Sequence, residues 1–300
     1  MGQKRRDGRG GRRRPGARAA AAAALAITGG AAQAACPGDL TFSVSAPPRI
    51  DYPPGARSAV AEEMTLTLRG SAPGDDGCEI HAYAPGGRTL SAPGGARHLA
   101  FDILLPDGAA APRPQAPLPS SLLVRLEEGE AVDETLKLRI ELAPDQFVGS
   151  GDYSAAVPLD FYEETDGDFT FLDDVVGAAH ADVGQIATLA VGGVLGGGQT
   201  ISYGEMRAGE RREVVVTALS NDPFVLKATS VNKGRMAHVA DRSDRGFVPY
   251  KAELGGAPLH LEKSGGSTSG GKPRAATTIS GAPMSLSFTL GAVVGKRPRA

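Results

Sequence analysis

Apolar and polar residues alternate with a period of two along much of this chain. Met64, Leu66 and Leu68 alternate with Thr65, Thr67 and Arg69, and Leu136, Leu138, Ile140 and Leu142 alternate with Lys137, Arg139 and Glu141. Successive side chains of a strand point to opposite faces, so this pattern predicts half-buried β-strands. Val157, Leu159 and Phe161 predict another. Further strands are predicted at Val214 and Val216, Phe224 to Ser230, Phe247 to Leu254, and Met284, Leu286, Phe288 and Leu290. Turn signals punctuate them, among them Pro73-Gly74-Asp75, Pro85-Gly86-Gly87, Pro93-Gly94-Gly95, Asn221-Asp222-Pro223 and Gly255-Gly256. No helical period lasts three turns outside the N-terminal apolar run. Many short strands with frequent turns predict an all-β chain of two Ig-like β-sandwich domains in tandem.

A boundary is readable between two apolar regions. Glu163-Glu164-Thr165-Asp166-Gly167-Asp168 is acidic and turn-rich, and Asp173 and Asp174 follow. The expected organisation is an N-terminal sandwich over 35–163, an acidic linker over 164–183 and a second sandwich over 184–300. The acids of the linker do not follow the spacing of an EF-hand, so solvated linker is preferred to a Ca²⁺ loop. Loops are expected from Asp107 to Ser121, rich in Ala and Pro, and from Ser264 to Lys272, rich in Gly and Ser.

The first 34 residues read as an address. Lys4, Arg5, Arg6, Arg9, Arg12, Arg13, Arg14 and Arg18 precede an apolar run from Ala19 to Ile27, and Ala32-Gln33-Ala34 supplies an A-x-A site. Basic region, short apolar core and small-residue site together predict a secretory signal peptide over 1–34. The apolar run is about half the roughly 20 residues that span a bilayer, so no integral membrane segment is expected after cleavage. Gln33 stands where a lipobox has Leu, which argues against lipidation of Cys36. Export is expected, and in an oxidising compartment the chain's two cysteines, Cys36 and Cys78, are expected to pair.

Charge changes the picture once the leader is set aside. The formal net charge is −2, but without the eight basic residues and one acid of positions 1–18, 24 basic and 33 acidic residues remain, a net of −9. Such a body lacks the basic patch that displaces counterions from nucleic acid. There are 41 Gly, 22 Pro and no Trp, so small aliphatic side chains must do most of the packing.

Candidate chemistry is sparse. The histidines are His81, His98, His180, His238 and His260, with none in HExxH and no Ser in GxSxG. His81 lies in a strand beginning at Glu79 and reads as core or edge packing; His180-Ala181-Asp182 reads as a loop. The run Gly192 to Gly198 lacks the Lys-Ser/Thr of a P-loop and reads as a turn between strands. No catalytic residue, cofactor or metal site is expected, and an exported hydrolase is disfavoured.

The second block carries a succession of turns that resembles a known family. Ile201-Ser202-Tyr203-Gly204-Glu205-Met206-Arg207-Ala208-Gly209-Glu210, Ser220-Asn221-Asp222-Pro223-Phe224, Ser230-Val231-Asn232-Lys233-Gly234-Arg235-Met236 and Val248-Pro249-Tyr250 occur in order. Residues 184–300 thereby resemble the spore coat protein U domain, found in subunits of Csu-type archaic chaperone–usher fimbriae. The first block resembles it more loosely, through its opening cysteine, a second about 40 residues on, and Gly151-Asp152-Tyr153-Ser154. The resemblance implies pilin-like sandwiches.

Comparing the blocks exposes a shortfall. Leu136–Leu142 leads after a loop into Gly151 and a further strand, whereas Met284–Leu290 leads into Gly291–Ala300. Either the sequence is cut short here or the second sandwich is incomplete at its C-terminal end, and the second is the working expectation. The resemblance implies that donor-strand complementation repairs it, with a periplasmic pilus chaperone, an outer-membrane usher and a neighbouring fimbrial subunit as partners. Val214, Val216, Leu286, Phe288 and Leu290 are the expected groove. A mature chain starting at Ala35 has no donor arm before Cys36, which predicts a tip adhesin meeting an unidentified surface or host ligand. Pro48, Ile50, Tyr52 and Leu118 are the expected adhesive loop residues. The alternative is a free-standing secreted sandwich that binds without polymerising.

Overall fold

The structure, a computed structural model, describes residues 36, 39–45, 49–71, 78–112, 121–127, 131–165, 167–237, 247–262, 267–268 and 273–292. The expected signal peptide, Pro48 and Leu118 lie outside the described residues, as does most of the Gly/Ser-rich loop. Among the described residues there is no α-helix, and the chain is all-β.

Ten strands build the first half: β1 (Thr41–Val44), β2 (Ile50–Tyr52), β3 (Val60–Ser71), β4 (Cys78–Tyr83), β5 (Thr89–Ser91), β6 (His98–Leu104), β7 (Leu122–Leu126), β8 (Ala131–Leu142), β9 (Gly151–Thr165) and β10 (Asp168–Val183). One layer runs β1-β3-β8-β6. The other runs β7-β4-β9-β10-β2, and β5 joins the layers at a corner by pairing with both β6 and β9. All these pairs are antiparallel except β10 with β2. The alternation read from sequence closes the layers on each other. Met64, Leu66, Leu68, Leu138, Ile140 and Leu142 are fully buried, and Phe42 of β1 stacks on Phe161 of β9 across the interior with ring centroids 4.0 Å apart. Thirty-one described residues form this core.

The expected linker is instead a strand. Residues 168–183 form β10, which pairs with β9 along its whole length. Its acids suggest solvent-facing chain, but strand faces alternate, and Ala179, Ala181 and Val183 point inward and are buried. They are small because the opposite layer is close: a Cβ on Gly177 would lie 2.7 Å from Val44 Cγ1. His180-Ala181-Asp182, expected as a loop, belongs to this strand.

The second half contains β11 (Ala187–Val191), β12 (Val194–Leu195), β13 (Arg211–Ser220), β14 (Lys227–Ala228), β15 (Arg235–Ala237), β16 (Phe247–Leu254), β17 (Ala257–Leu259), β18 (Ser267–Thr268) and β19 (Ala282–Leu290). Its main sheet runs β12-β11-β13-β19-β16-β15, with β17 on β16. The strand predicted over Phe224 to Ser230 is reduced to β14, which among the described residues pairs with β18. Gly192 and Gly193 take positive φ in the β11–β12 hairpin, as the turn reading of that run requires.

The halves meet at the Ser220-Asn221-Asp222 turn. Asn221 Nδ2 donates to Val148 O of the first half (3.1 Å) and Gly184 O (2.9 Å), and its Oδ1 accepts from Ile186 N (2.8 Å). Asp222 accepts from Ser150 N at 3.2 Å and also from Ser150 Oγ, with Arg97 at 3.6 Å.

Candidate functional site: an uncovered sheet face

The two halves repeat one plan. In the first, β1-β3-β8-β6 is a sheet in which each neighbour pairs antiparallel. In the second, β11-β13-β19-β16 repeats that order, chain direction and pairing. The opposite layer differs. β18 and β14 occupy the places of β7 and β4, and there the correspondence stops: among the described residues no strand holds the places of β9 and β10.

The consequence is visible in burial. Antiparallel partners share a face, so the registers Val214 with Leu286, Val216 with Met284, Ala252 with Phe288 and Leu254 with Leu286 put one apolar surface on this sheet. In the first half Leu138, Ile140 and Leu142 of β8 are fully buried, with Leu136 partly so. Here Met284, Leu286 and Phe288 remain only partly buried, and the cluster around them has four buried members, Ala252, Leu254, Leu259 and Leu261. Eight of the ten exposed large apolar side chains among the described residues lie in the second half.

Part of the uncovered face is a trough of about 170 Å³ between Ala187, Leu189 and Ala218 on the sheet and Phe224, Val225 and Leu226 opposite. Leu189 and Val225 at its mouth are 39% and 51% exposed. The sheet end near Leu290 is better sealed. Tyr203 is buried there and donates to Phe288 O at 3.1 Å; burial, helped by Glu210, pushes its phenol pKa up.

All five residues expected in the groove lie on this face, but their role needs correction. β13 is paired on both sides, by β11 and β19, and β19 by β13 and β16. Val216, Leu286 and Phe288 lie where both neighbours pair, so they are a floor for side chains and not an edge that pairs with another backbone, whereas β11 reaches only Val216–Ser220 of β13. Val214, Val216 and Leu290 are already buried. Opposite this face lie β14, paired with β18, and the Phe224–Arg274 bridge that precedes it.

The expected adhesive residues are corrected too. Ile50 and Tyr52 lie in β2, beside β10, with 0% and 1% exposure. The Tyr52 hydroxyl donates to Ala143 O and accepts from Gln146 N. Pro-rich flanking sequence suggested a surface loop, whereas Ile50 and Tyr52 alternate with exposed Asp51 as a strand does. Cys36 and Cys78 are joined by a disulfide, with Cα atoms 5.7 Å apart.

A polar cluster that spacing did not reveal sits on the outer face of β4 and β9. His81 Nδ1 lies 2.8 Å from Ser121 Oγ, and Nε2 lies 2.9 Å from Glu164 Oε2. Tyr83, Tyr162, Phe169 and Phe171 surround it with edge-to-face ring contacts. The composition is that of a hydrolytic triad, yet Ser121 is fully buried, and a nucleophile must reach its substrate. Only the β4–β9 pairing brings Glu164 to His81, 83 positions away, so no local motif could announce it.

No family model matches this chain, and no curated protein sequence matches it. Several solved structures are similar to it. The chaperone–tip adhesion subunit pre-assembly complex of archaic chaperone–usher Csu pili of Acinetobacter baumannii is similar at 11% identity, over 86% of this chain and 96% of that one, with a TM-score of 0.41. The CupB6 tip adhesin from Pseudomonas aeruginosa is similar at 9% identity, over 85% and 88%, with a TM-score of 0.38. The CooA pilin subunit from enterotoxigenic Escherichia coli is similar at 10% identity, over 48% and 99%, with a TM-score of 0.29.

Proposed function

We propose that this chain is an exported subunit of a chaperone–usher type fimbria, completed by a strand from another polypeptide and placed at the fibre tip. One observation carries the reading: the second half repeats one sheet of the first in full, while the strands that should face it, the counterparts of β9 and β10, are missing among the described residues. An added strand supplies both things such a face lacks. Its backbone pairs with an open edge, and its alternate apolar side chains fill the trough. The turn succession across 184–300 supports the same family.

The partners follow from that role. A periplasmic chaperone would hold the open face during transit, an outer-membrane usher would pass the subunit outward, and the neighbouring subunit would donate the final strand. The first half supports the tip position, because β10 lies between β9 and β2 as the chain's own closing strand. A closed domain needs no donor and is left to meet a surface or host ligand. The work is binding and assembly, without catalysis.

The test uses the full chain and a synthetic peptide of four or five alternating apolar residues, taken from the N-terminal arm of a subunit encoded nearby. At a hundredfold excess over Kd, binding stabilises by about 2.7 kcal/mol, or about 10 °C in the Tm of a domain of this size. A peptide with Asp at its central apolar position serves as control. The absence of a shift with any subunit-derived peptide favours a free-standing secreted binder.

A further inference from the structure

We propose that Glu79, His81 and Glu164 form a binding site for a divalent transition-metal cation of the Zn²⁺ class. The three offer ligand atoms that all lie within 4.8 Å of one another. Glu79 and Glu164 are direct cross-strand partners in the β4–β9 ladder, and His81 is two residues on, so all three project from one face. Two carboxylates placed opposite each other repel. A cation between them reverses the sign of that interaction.

The histidine supplies the second, independent observation. Its side chain is 1% exposed. Ser121 Oγ donates to Tyr83 OH at 3.0 Å, so toward His81 Nδ1 it is an acceptor and the imidazole proton sits on Nδ1. That assignment follows from the hydrogen-bond network, and it leaves Nε2 with a lone pair. Nε2 is buried, has no aligned hydrogen-bond partner, and faces the Glu164 carboxylate 2.9 Å away. A lone pair against a carboxylate in a buried place is unfavourable unless positive charge stands between them.

The donor set selects the metal. One imidazole nitrogen with two carboxylate oxygens suits Zn²⁺, whereas Ca²⁺ and Mg²⁺ prefer oxygen throughout. The Ser121 contact to Nδ1 is the kind of outer hydrogen bond that fixes a ligating imidazole. Glu79 and Glu164 are 33% and 31% exposed in their side chains, which leaves an entry path from solvent. Arg125 pairs with Glu79, and the metal must share or displace it. Three protein ligands leave a fourth tetrahedral position for water or for a donor atom of an outside ligand. β9 runs from the joint between the halves at Gly151 to Thr165, so at about 3.3 Å per residue the site lies roughly 45 Å along that strand from the joint. It is at the pole of the first half remote from the trough, and the proposal stands independently of the fimbrial reading.

The full chain, treated with EDTA and dialysed, is titrated calorimetrically with Zn²⁺ alone. The expected result is one ion per chain, with H81Q and E79Q each weakening binding by about tenfold or more. E79Q alters a partly exposed side chain and leaves the fold intact, so the test survives if H81Q misfolds. Co²⁺ in place of Zn²⁺ is expected to give visible absorption bands that E79Q removes. No binding, or binding equally strong in E79Q and in folded H81Q, overturns the proposal.

Discussion

Asn221 shows how much one side chain can hold. Its amide bonds to Val148, Gly184 and Ile186 tie the first half, the connector and the second half together, and it is 3% exposed. Asn221→Ala leaves those backbone groups without their partner, at a cost of about 2–3 kcal/mol. The denaturation midpoint should fall, and small-angle scattering should show a wider spread of angles between the halves. An unchanged midpoint would count against the joint. Asp160 carries the opposite kind of information. Burial raises its pKa, and Asp174 directly opposite raises it further. A carboxyl whose pKa is raised by folding binds more protons in the folded state, so its stabilising contribution is present at low pH. That contribution is lost as pH rises from the ordinary carboxylate value through the raised one. Asp160→Asn is therefore expected to raise stability at pH 7 by about 0.5 kcal/mol after solvent screening, with the gain fading in acid. Thermal melts of both proteins at several pH values check the sign.

At the scale of elements, β10 and the disulfide decide the first sandwich. β10 was hidden because its acids and small residues look like solvated chain; read in alternate positions, Ala179, Ala181 and Val183 are a buried face. Its partner β9 was legible from Val157, Leu159 and Phe161, whose larger side chains fill the interior. Cys36–Cys78 spans 42 residues, and closing such a loop is worth roughly 4 kcal/mol in the chain-entropy model. Reduction is expected to lower the Tm of the first half, since the bridge ties the chain before β1 to β4. Scanning calorimetry with and without reductant reads this directly, and identical melts would remove the disulfide from the stability account.

At the scale of the whole molecule, a closed sandwich of 31 core residues is joined to a sheet whose cluster has four. Such unequal halves should unfold in two transitions, the second half first. Reductant should move only the later one, and a donor peptide only the earlier one. A single transition that responds to both treatments would mean that the joint at Asn221 couples the halves into one cooperative unit.

The alternation of apolar and polar residues determined that the chain is all-β and where most of its long strands run, because face selection in a strand depends on nearest neighbours in sequence. That Val214, Val216, Leu286, Phe288 and Leu290 share one face could be read for the same reason, as one side of each strand. Which edges are free, that β10 closes the first sandwich, that Ile50 and Tyr52 are interior, and that Glu79, His81 and Glu164 converge were decided by tertiary structure alone. Each depends on which strand lies beside or opposite another, and strands adjacent in space here are separated by scores of residues, a relation that local pattern does not encode.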